Sequence, residues 1–265
     1  MNPLKSIKNF TVYYNAISTE DIKLISAYDL AIIHPLNVAD DILSRIKANK
    51  TLVYGYISAV EVESYDNFKK NLMLEDSYLY DDGSKFFNSE FSCYGGNILS
   101  KSYQNILSQL IKIRIIDRGF NGVMFDTLDD IQSLRNNQDI KSQTQGYINF
   151  FQKLKTKYPD LSIIQNRGFQ VFEKGSSTYI DGLIFEDLNF QESTDKKYYN
   201  DLVKNLSSLA LKSDCRMMAI SHSNRAKNHS FCKKLNWLYY YSSLENNYMQ
   251  LENKIDNVSK RPWFS

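Results

Sequence analysis

Two carboxylates close two nearly identical phrases in this chain, Gly119-Phe120-Asn121-Gly122-Val123-Met124-Phe125-Asp126 and Tyr179-Ile180-Asp181-Gly182-Leu183-Ile184-Phe185-Glu186. In each, a glycine opens a short apolar run of branched and aromatic residues and an acid ends it. Such a run is too short for a helix and reads as a strand buried on both faces, as in parallel sheets. An acid at the C-terminal end of such a strand stands where α/β barrels keep their chemistry, so Asp126 and Glu186 suggest an acid/base pair. The competing structural reading of Asp126-Thr127-Leu128-Asp129 is a helix N-cap, a role that aspartate fills well and Glu186 would fill poorly.

Elements that must position the pair recur along the chain. Short apolar runs alternate with helical patterns, which predicts repeated βα units and a parallel sheet. The strands are expected at Phe10 to Tyr14, Leu30 to Ile33, Thr51 to Ile57, the 119–126 phrase, Leu161 to Gln165, Gly182 to Phe185, Arg216 to Ile220 and Trp237 to Tyr241. Between them, Ser18 opens a capping-box-like helix start, and helices are expected over Asp40 to Ala48, Ser102 to Arg118, Gln143 to Tyr158, Lys196 to Lys212 and Asn224 to Leu235, with a short one before Gly182. In the Ser102 to Arg118 helix the apolar positions are Ile106, Leu110 and Ile113, and Gly119 fits a C-cap,. Eight parallel units with right-handed crossovers close most readily into a single α/β (β/α)8 TIM barrel over residues 1–265. A long irregular stretch from Ser58 to about Ser100, carrying Tyr78, Tyr80, Phe86, Phe87, Phe91 and Tyr94, reads as an ordered aromatic-rich loop after strand three, one wall of a cleft,.

Other polar residues gather at the same strand ends. Candidate substrate contacts are Tyr14, His34, Tyr56, Glu61, Asp129, Asn166, Arg167, His222 and Tyr240. Asn166 and Arg167 offer an amide and a guanidinium to hydroxyls or to a carboxylate, with a plain strand-to-helix turn as the competing reading. His34 and His222 lie on strands far apart in order, which argues against a shared metal, and neither metal nor cofactor is expected.

These motifs, in this order, resemble glycoside hydrolase family 114, the endo-α-1,4-polygalactosaminidases and their barrel relatives. The 119–129 segment resembles the family's Gly-Phe-Asp-Gly-x-x-x-Asp-Thr-x-Asp signature; Tyr56-Ile57-Ser58 with Glu61 and Glu63, Asn166-Arg167-Gly168 and Asp181 to Glu186 follow in family order, so that the likeness runs from about Phe10 to Tyr248. The resemblance implies hydrolysis of α-1,4-linked galactosamine-containing polysaccharide, with Asp126 as nucleophile and Glu186 as general acid/base. It also implies an extracellular or cell-surface location, against a cytoplasmic one if Met1 is the native start. Three departures touch the substrate side: Val60 where the family commonly has glycine, Asp66 where a basic residue is frequent, and Ser221-His222 where Asp-Tyr is usual. Retaining glycosidases hold their carboxyl groups about 5 to 5.5 Å apart and inverting ones about 6.5 to 9.5 Å. Strands four and six are one strand apart, about 9.6 Å between backbones, which leaves either mechanism open.

Composition narrows the partner. Lys+Arg 32 against Asp+Glu 30 gives a net charge of +2, without the basic footprint that nucleic acid or an anionic membrane demands. Aromatic content of 14%, with 19 tyrosines and 15 phenylalanines, suits sugar rings, although a tyrosine-rich surface needs no ligand. Cys93, Cys215 and Cys232 fit no zinc or disulfide spacing and read as reduced structural thiols,. No stretch approaches the roughly 20 apolar residues of a membrane span, and the chain is expected to act as a monomer. Two other readings stand beside hydrolysis: a non-catalytic carbohydrate-binding barrel, and a phosphate-binding barrel using the basic loop His222 to Lys227,.

Overall fold

The computed structural model describes residues 2–189, 196–243 and 247–252, so part of the single domain expected over 1–265 lies outside the described residues. Eight parallel strands pair in chain order: β1 (Phe10–Tyr13), β2 (Leu30–Ile33), β3 (Leu52–Ser58), β4 (Gly122–Asp126), β5 (Ser162–Asn166), β6 (Gly182–Phe185), β7 (Arg216–Ser221) and β8 (Leu238–Tyr241). They curl into a nearly closed barrel. Across the seam between β8 and β1, the Tyr240 ring meets Phe10 at 5.7 Å and its hydroxyl donates to the Val12 carbonyl at 3.4 Å. Helices α1 (Thr19–Ile25), α2 (Asp40–Ala48), α3 (Asn67–Leu72), α4 (Lys101–Ile111), α5 (Asn137–Lys157), α6 (Phe169–Lys174), α7 (Lys196–Lys212) and α8 (Arg225–Lys234) connect the strands. Ser18 and Asp21 form the anticipated capping box on α1. Among the described residues no helix is long and apolar enough to cross a membrane. The three cysteines are free and buried.

The strand period of two divides the core into two layers. One set of alternate residues, including Val12, Ile32, Tyr56, Met124, Ile164, Ile184, Ile220 and Tyr240, fills the barrel; the intervening set packs under the helices. This phase explains the repeated phrase. Gly122 and Gly182 have the interior phase at the strand starts, where a Cβ on Gly122 would come 2.3 Å from the Tyr54 ring and one on Gly182 2.8 Å from Leu4. Four residues later the same phase brings Asp126 and Glu186 to the opposite end of the barrel.

Several elements differ from the sequence expectation. The 58–100 stretch is not irregular: Glu61–Val62, Phe87–Asn88 and Cys93–Gly95 form a small antiparallel sheet, and Tyr80–Asp81 pairs with Ser84–Lys85. The second hairpin turns on Asp82 and Gly83, both left-handed at φ 51 and 77, the Asp-Gly signal of a two-residue turn. The helix expected over Ser102 to Arg118 is α-helical only to Ile111 and continues as a π turn over Lys112–Ile116. That wider turn shifts the buried face, so Ile113 is 47% exposed while Ile115 is buried. Helix α5 starts six residues before the expected Gln143, because Asn136 caps it through Gln138 N–H. Tyr240, expected as a substrate contact, is 3% exposed and turns its hydroxyl to the Val12 carbonyl.

Candidate active site

Continuing the interior phase two residues past the last apolar layer gives Asp126 after Met124, Asn166 after Ile164 and Glu186 after Ile184. Three adjacent strands thus deliver two acids and an amide to one point. Asn166 Nδ2 donates to Asp126 Oδ1 at 2.9 Å and to Glu186 Oε2 at 2.5 Å. The two acceptor oxygens cannot be farther apart than both bonds laid end to end, about 5.4 Å, which makes the acids a close pair. Both hydrogen bonds of Asp126, from Asn166 and from the Thr127 N–H at 2.9 Å, fall on Oδ1 and do not occupy Oδ2. Asp126 is therefore not the helix cap of the competing reading; Thr127 holds that place before the Leu128–Ser133 turn.

The residue after each of the three is left-handed: Thr127 at φ 66, Arg167 at 48 and Asp187 at 58. This conformation is unusual for a side-chain-bearing residue and persists where surrounding contacts hold it, most often at functional sites. Here Thr127 Oγ1 accepts from the Val60 N–H at 3.0 Å and bonds Ser58 Oγ at 3.0 Å. Arg167 ties the next two loops together, with Nε 3.0 Å from Asp129 and Nη1 3.2 Å from Asp187, and Asp187 lies 3.4 Å from His222 Nε2. Arg167 and Asp129 thus brace the rim around the acids.

On the other side stands an aromatic wall. The Tyr14 ring meets Tyr56 at 5.0 Å and Tyr248 at 5.3 Å, and His34 stacks on Tyr56 at 5.5 Å. Burial, with Arg114 nearby, lowers His34 to about 4, so it is neutral and its Nδ1 accepts from the Leu36 N–H. Below it the Glu63 carboxylate takes the hydroxyls of Tyr56 at 2.9 Å and Tyr65 at 2.5 Å. Glu61 accepts from Asn88 at 2.9 Å. Burial first, then the neighbouring Asp130, pushes Glu61 up to about 8, and Asp130 itself is raised to about 6 by burial and Asp129. Of the expected contacts, Tyr14, His34, Tyr56, Glu61, Asp129, Asn166, Arg167 and His222 ring Asp126 and Glu186, and Tyr240 does not. Arg225 of the basic loop lies over the Tyr241 ring at 5.0 Å, a residue of the phase that packs under the helices. A cavity of about 460 Å³ opens at the opposite end of the barrel, lined by Tyr54, Asn121, Ser162 and Asp181, and holds none of the site residues.

Tyr248, Tyr65, Asn88 and Asp130 belong to the site without having been singled out in the sequence. No local pattern separates Tyr248 from the other tyrosines, whereas Asp130 and Asn88 follow from Glu61 only once the small sheet is known.

Burial, and then the Glu186 carboxylate, raises Asp126 to about 7. Its folded value exceeds the unfolded value near 3.9, so its favourable contribution is complete below the unfolded value and is lost as pH rises through about 7. Asp126→Asn removes that loss. The variant is expected to be more stable than the parent by about 2 kcal/mol at pH 8, with the gap closing toward pH 5; thermal melts at both pH values check it, and an equal gap at both rejects it.

The sequence matches the model of glycoside-hydrolase family GH114 over residues 8–229. No curated protein matches it. Among solved structures it is similar to the glycoside hydrolase domain of PelA from Pseudomonas aeruginosa, with 15% identity, 92% of this chain and 96% of that chain covered, and a TM-score of 0.74. Aspergillus fumigatus Ega3, in complex with galactosamine, aligns at 12% identity, 94% of each chain and a TM-score of 0.68. A GH18 chitinase from Pseudoalteromonas aurantia aligns at 10% identity, 92% and 97% coverage and 0.55. At such identities the structural likenesses speak to the fold, and the family match stands on its own.

Proposed function

The chain belongs to glycoside hydrolase family GH114, and from that premise we propose that it cleaves α-1,4-linked galactosamine-containing polysaccharide by double displacement at Asp126 and Glu186. The observation that carries the mechanism is the Asn166 amide joining the two carboxylates, whose bonded oxygens lie within about 5.4 Å of each other and so favour the closer spacing of a retaining pair,. The two close carboxyls share one proton between them,; with that proton on Glu186 and Asp126 ionised, Asp126 attacks the anomeric carbon as the glycosidic C–O bond breaks, and Glu186 gives its proton to the leaving oxygen. Water then loses a proton to Glu186, attacks the same carbon, and releases Asp126 from the glycosyl-enzyme ester. The anomeric configuration is retained.

The amino sugar is supported by the galactosamine found in Ega3 and by the acids of this rim, where Asp129, Asp130 and Asp187 stand near the pair. Incubation with α-1,4-galactosamine oligomers, followed by proton NMR of the first product, tests the reading. The expected result is new reducing ends that appear first as the α anomer. First appearance of the β anomer rejects the double displacement, and no cleavage of amino or acetylated oligomers rejects the substrate class.

A further inference from the structure

Glu186 is gripped on both oxygens. Asn166 holds Oε2, and the Tyr248 hydroxyl donates to Oε1. Tyr248 comes from the segment after β8, beyond the residues that match the family model. It is 8% exposed, with its ring 5.3 Å from Tyr14 and 6.0 Å from His222. Its carbonyl accepts the Tyr14 N–H at 2.7 Å, and the Met249 carbonyl accepts from Asn15 Nδ2 at 3.3 Å. Asn247 and Tyr248 are both left-handed, at φ 41 and 59, a conformation that a bulky aromatic adopts only under constraint. The backbone thus accepts strain that aims this hydroxyl at the carboxylate.

Resting on the roles given above, we propose that Tyr248 is the positioning residue that keeps Glu186 aligned through both halves of the reaction. A general acid/base alternates between two protonation states, and its partner must follow. The Asn166 N–H group can only donate. A phenol hydroxyl donates to the carboxylate and, by rotating, accepts from the protonated acid. Burial, together with Glu186, holds the Tyr248 phenol well above its ordinary range, so it stays protonated as Glu186 cycles.

Tyr248→Phe tests this, because it keeps the ring against Tyr14 and His222 and keeps the backbone bond to Tyr14. Beside it runs Glu186→Gln, both measured on the galactosamine oligomer and on an aryl α-galactosaminide whose leaving group departs without a proton. For Tyr248→Phe, kcat/KM on the oligomer is expected to fall about 10- to 100-fold, the worth of a hydrogen bond to a charged group. On the activated glycoside it should stay within about threefold, with KM little changed and the melting temperature within about 2 °C of the parent. Equal losses on both substrates, or none on either, overturn the positioning role while Glu186→Gln still shows the leaving-group dependence. If Glu186→Gln itself loses activity equally on both substrates, the acid/base role falls, and the Tyr248 proposal with it.

Discussion

Glu186→Gln lowers kcat/KM on the galactosamine oligomer by about 10²- to 10⁴-fold, the span that general acid catalysis supplies, with the upper end expected because the leaving group is a poor one. The substitution is close in shape, so the loss measures the proton and not the packing. A glutamine oxygen can take over the Asn166 hydrogen bond, its amide nitrogen then faces Tyr248, and that hydroxyl can turn to accept,. The loss concentrates in the first step for the oligomer. For an activated aryl glycoside the first step survives, the second lacks its base, and the glycosyl-enzyme on Asp126 accumulates as a burst. Azide, which needs no base, then restores turnover and yields an α-glycosyl azide. An oligomer rate within tenfold of the parent, or an azide product of β configuration, is incompatible with the assigned roles.

Arg114→Met destabilises the fold by about 3 to 5 kcal/mol, the cost of stranding one member of a buried ion pair. Arg114 meets Asp66 with two bonds of 2.7 Å, and the two side chains are 12% and 2% exposed. Asp66 also caps α3 by accepting the Lys69 N–H at 3.0 Å. Burial by itself would raise the Asp66 carboxyl, yet Arg114 and the Lys69 N–H hold it below the usual carboxylate range. That depressed value means the pair's contribution is present above the unfolded carboxylate range and is lost as pH falls through the folded value. The π turn that carries Arg114 and the helix that carries Lys69 meet at this pair. Lys69 in turn donates to the Ser58 and Glu61 carbonyls, so damage here loosens the β3 end of the site. The double variant Asp66→Asn with Arg114→Met keeps the cap and removes both charges, and is expected to recover most of the loss. Urea unfolding at pH 7 checks both; a single-variant cost under about 1 kcal/mol shows the pair to be dispensable.

The departure at Asp66 shows how legibility fades with distance. A basic residue is frequent at that point in the family resemblance, and here an acid stands there. Its partner lies 48 residues on, inside a π turn that periodicity reads as ordinary helix. The barrel strands were legible because their signal is local, a run of apolar residues bounded by punctuation. Asp126, Asn166 and Glu186 were legible for the same reason, each ending such a run. The Asp82-Gly83 hairpin escapes a periodicity reading because its strands are only two residues long. Where the Tyr240 hydroxyl goes, onto the Val12 carbonyl across the seam, depends on barrel closure and leaves no mark in the sequence.

By itself, then, the sequence determined that two acids and an amide would leave three successive barrel strands on the interior phase, because side-chain direction along a strand depends only on counting by two. The tertiary structure alone decided how close they come, that Asn166 bonds both acids, and that Tyr248, 62 residues beyond Glu186, reaches its other oxygen. Those contacts depend on strand stagger, on barrel closure and on a strained turn after β8. Burial, which raises Asp126 to about 7, likewise exists only after closure, because desolvation is a property of everything packed around a group and not of its neighbours in the chain.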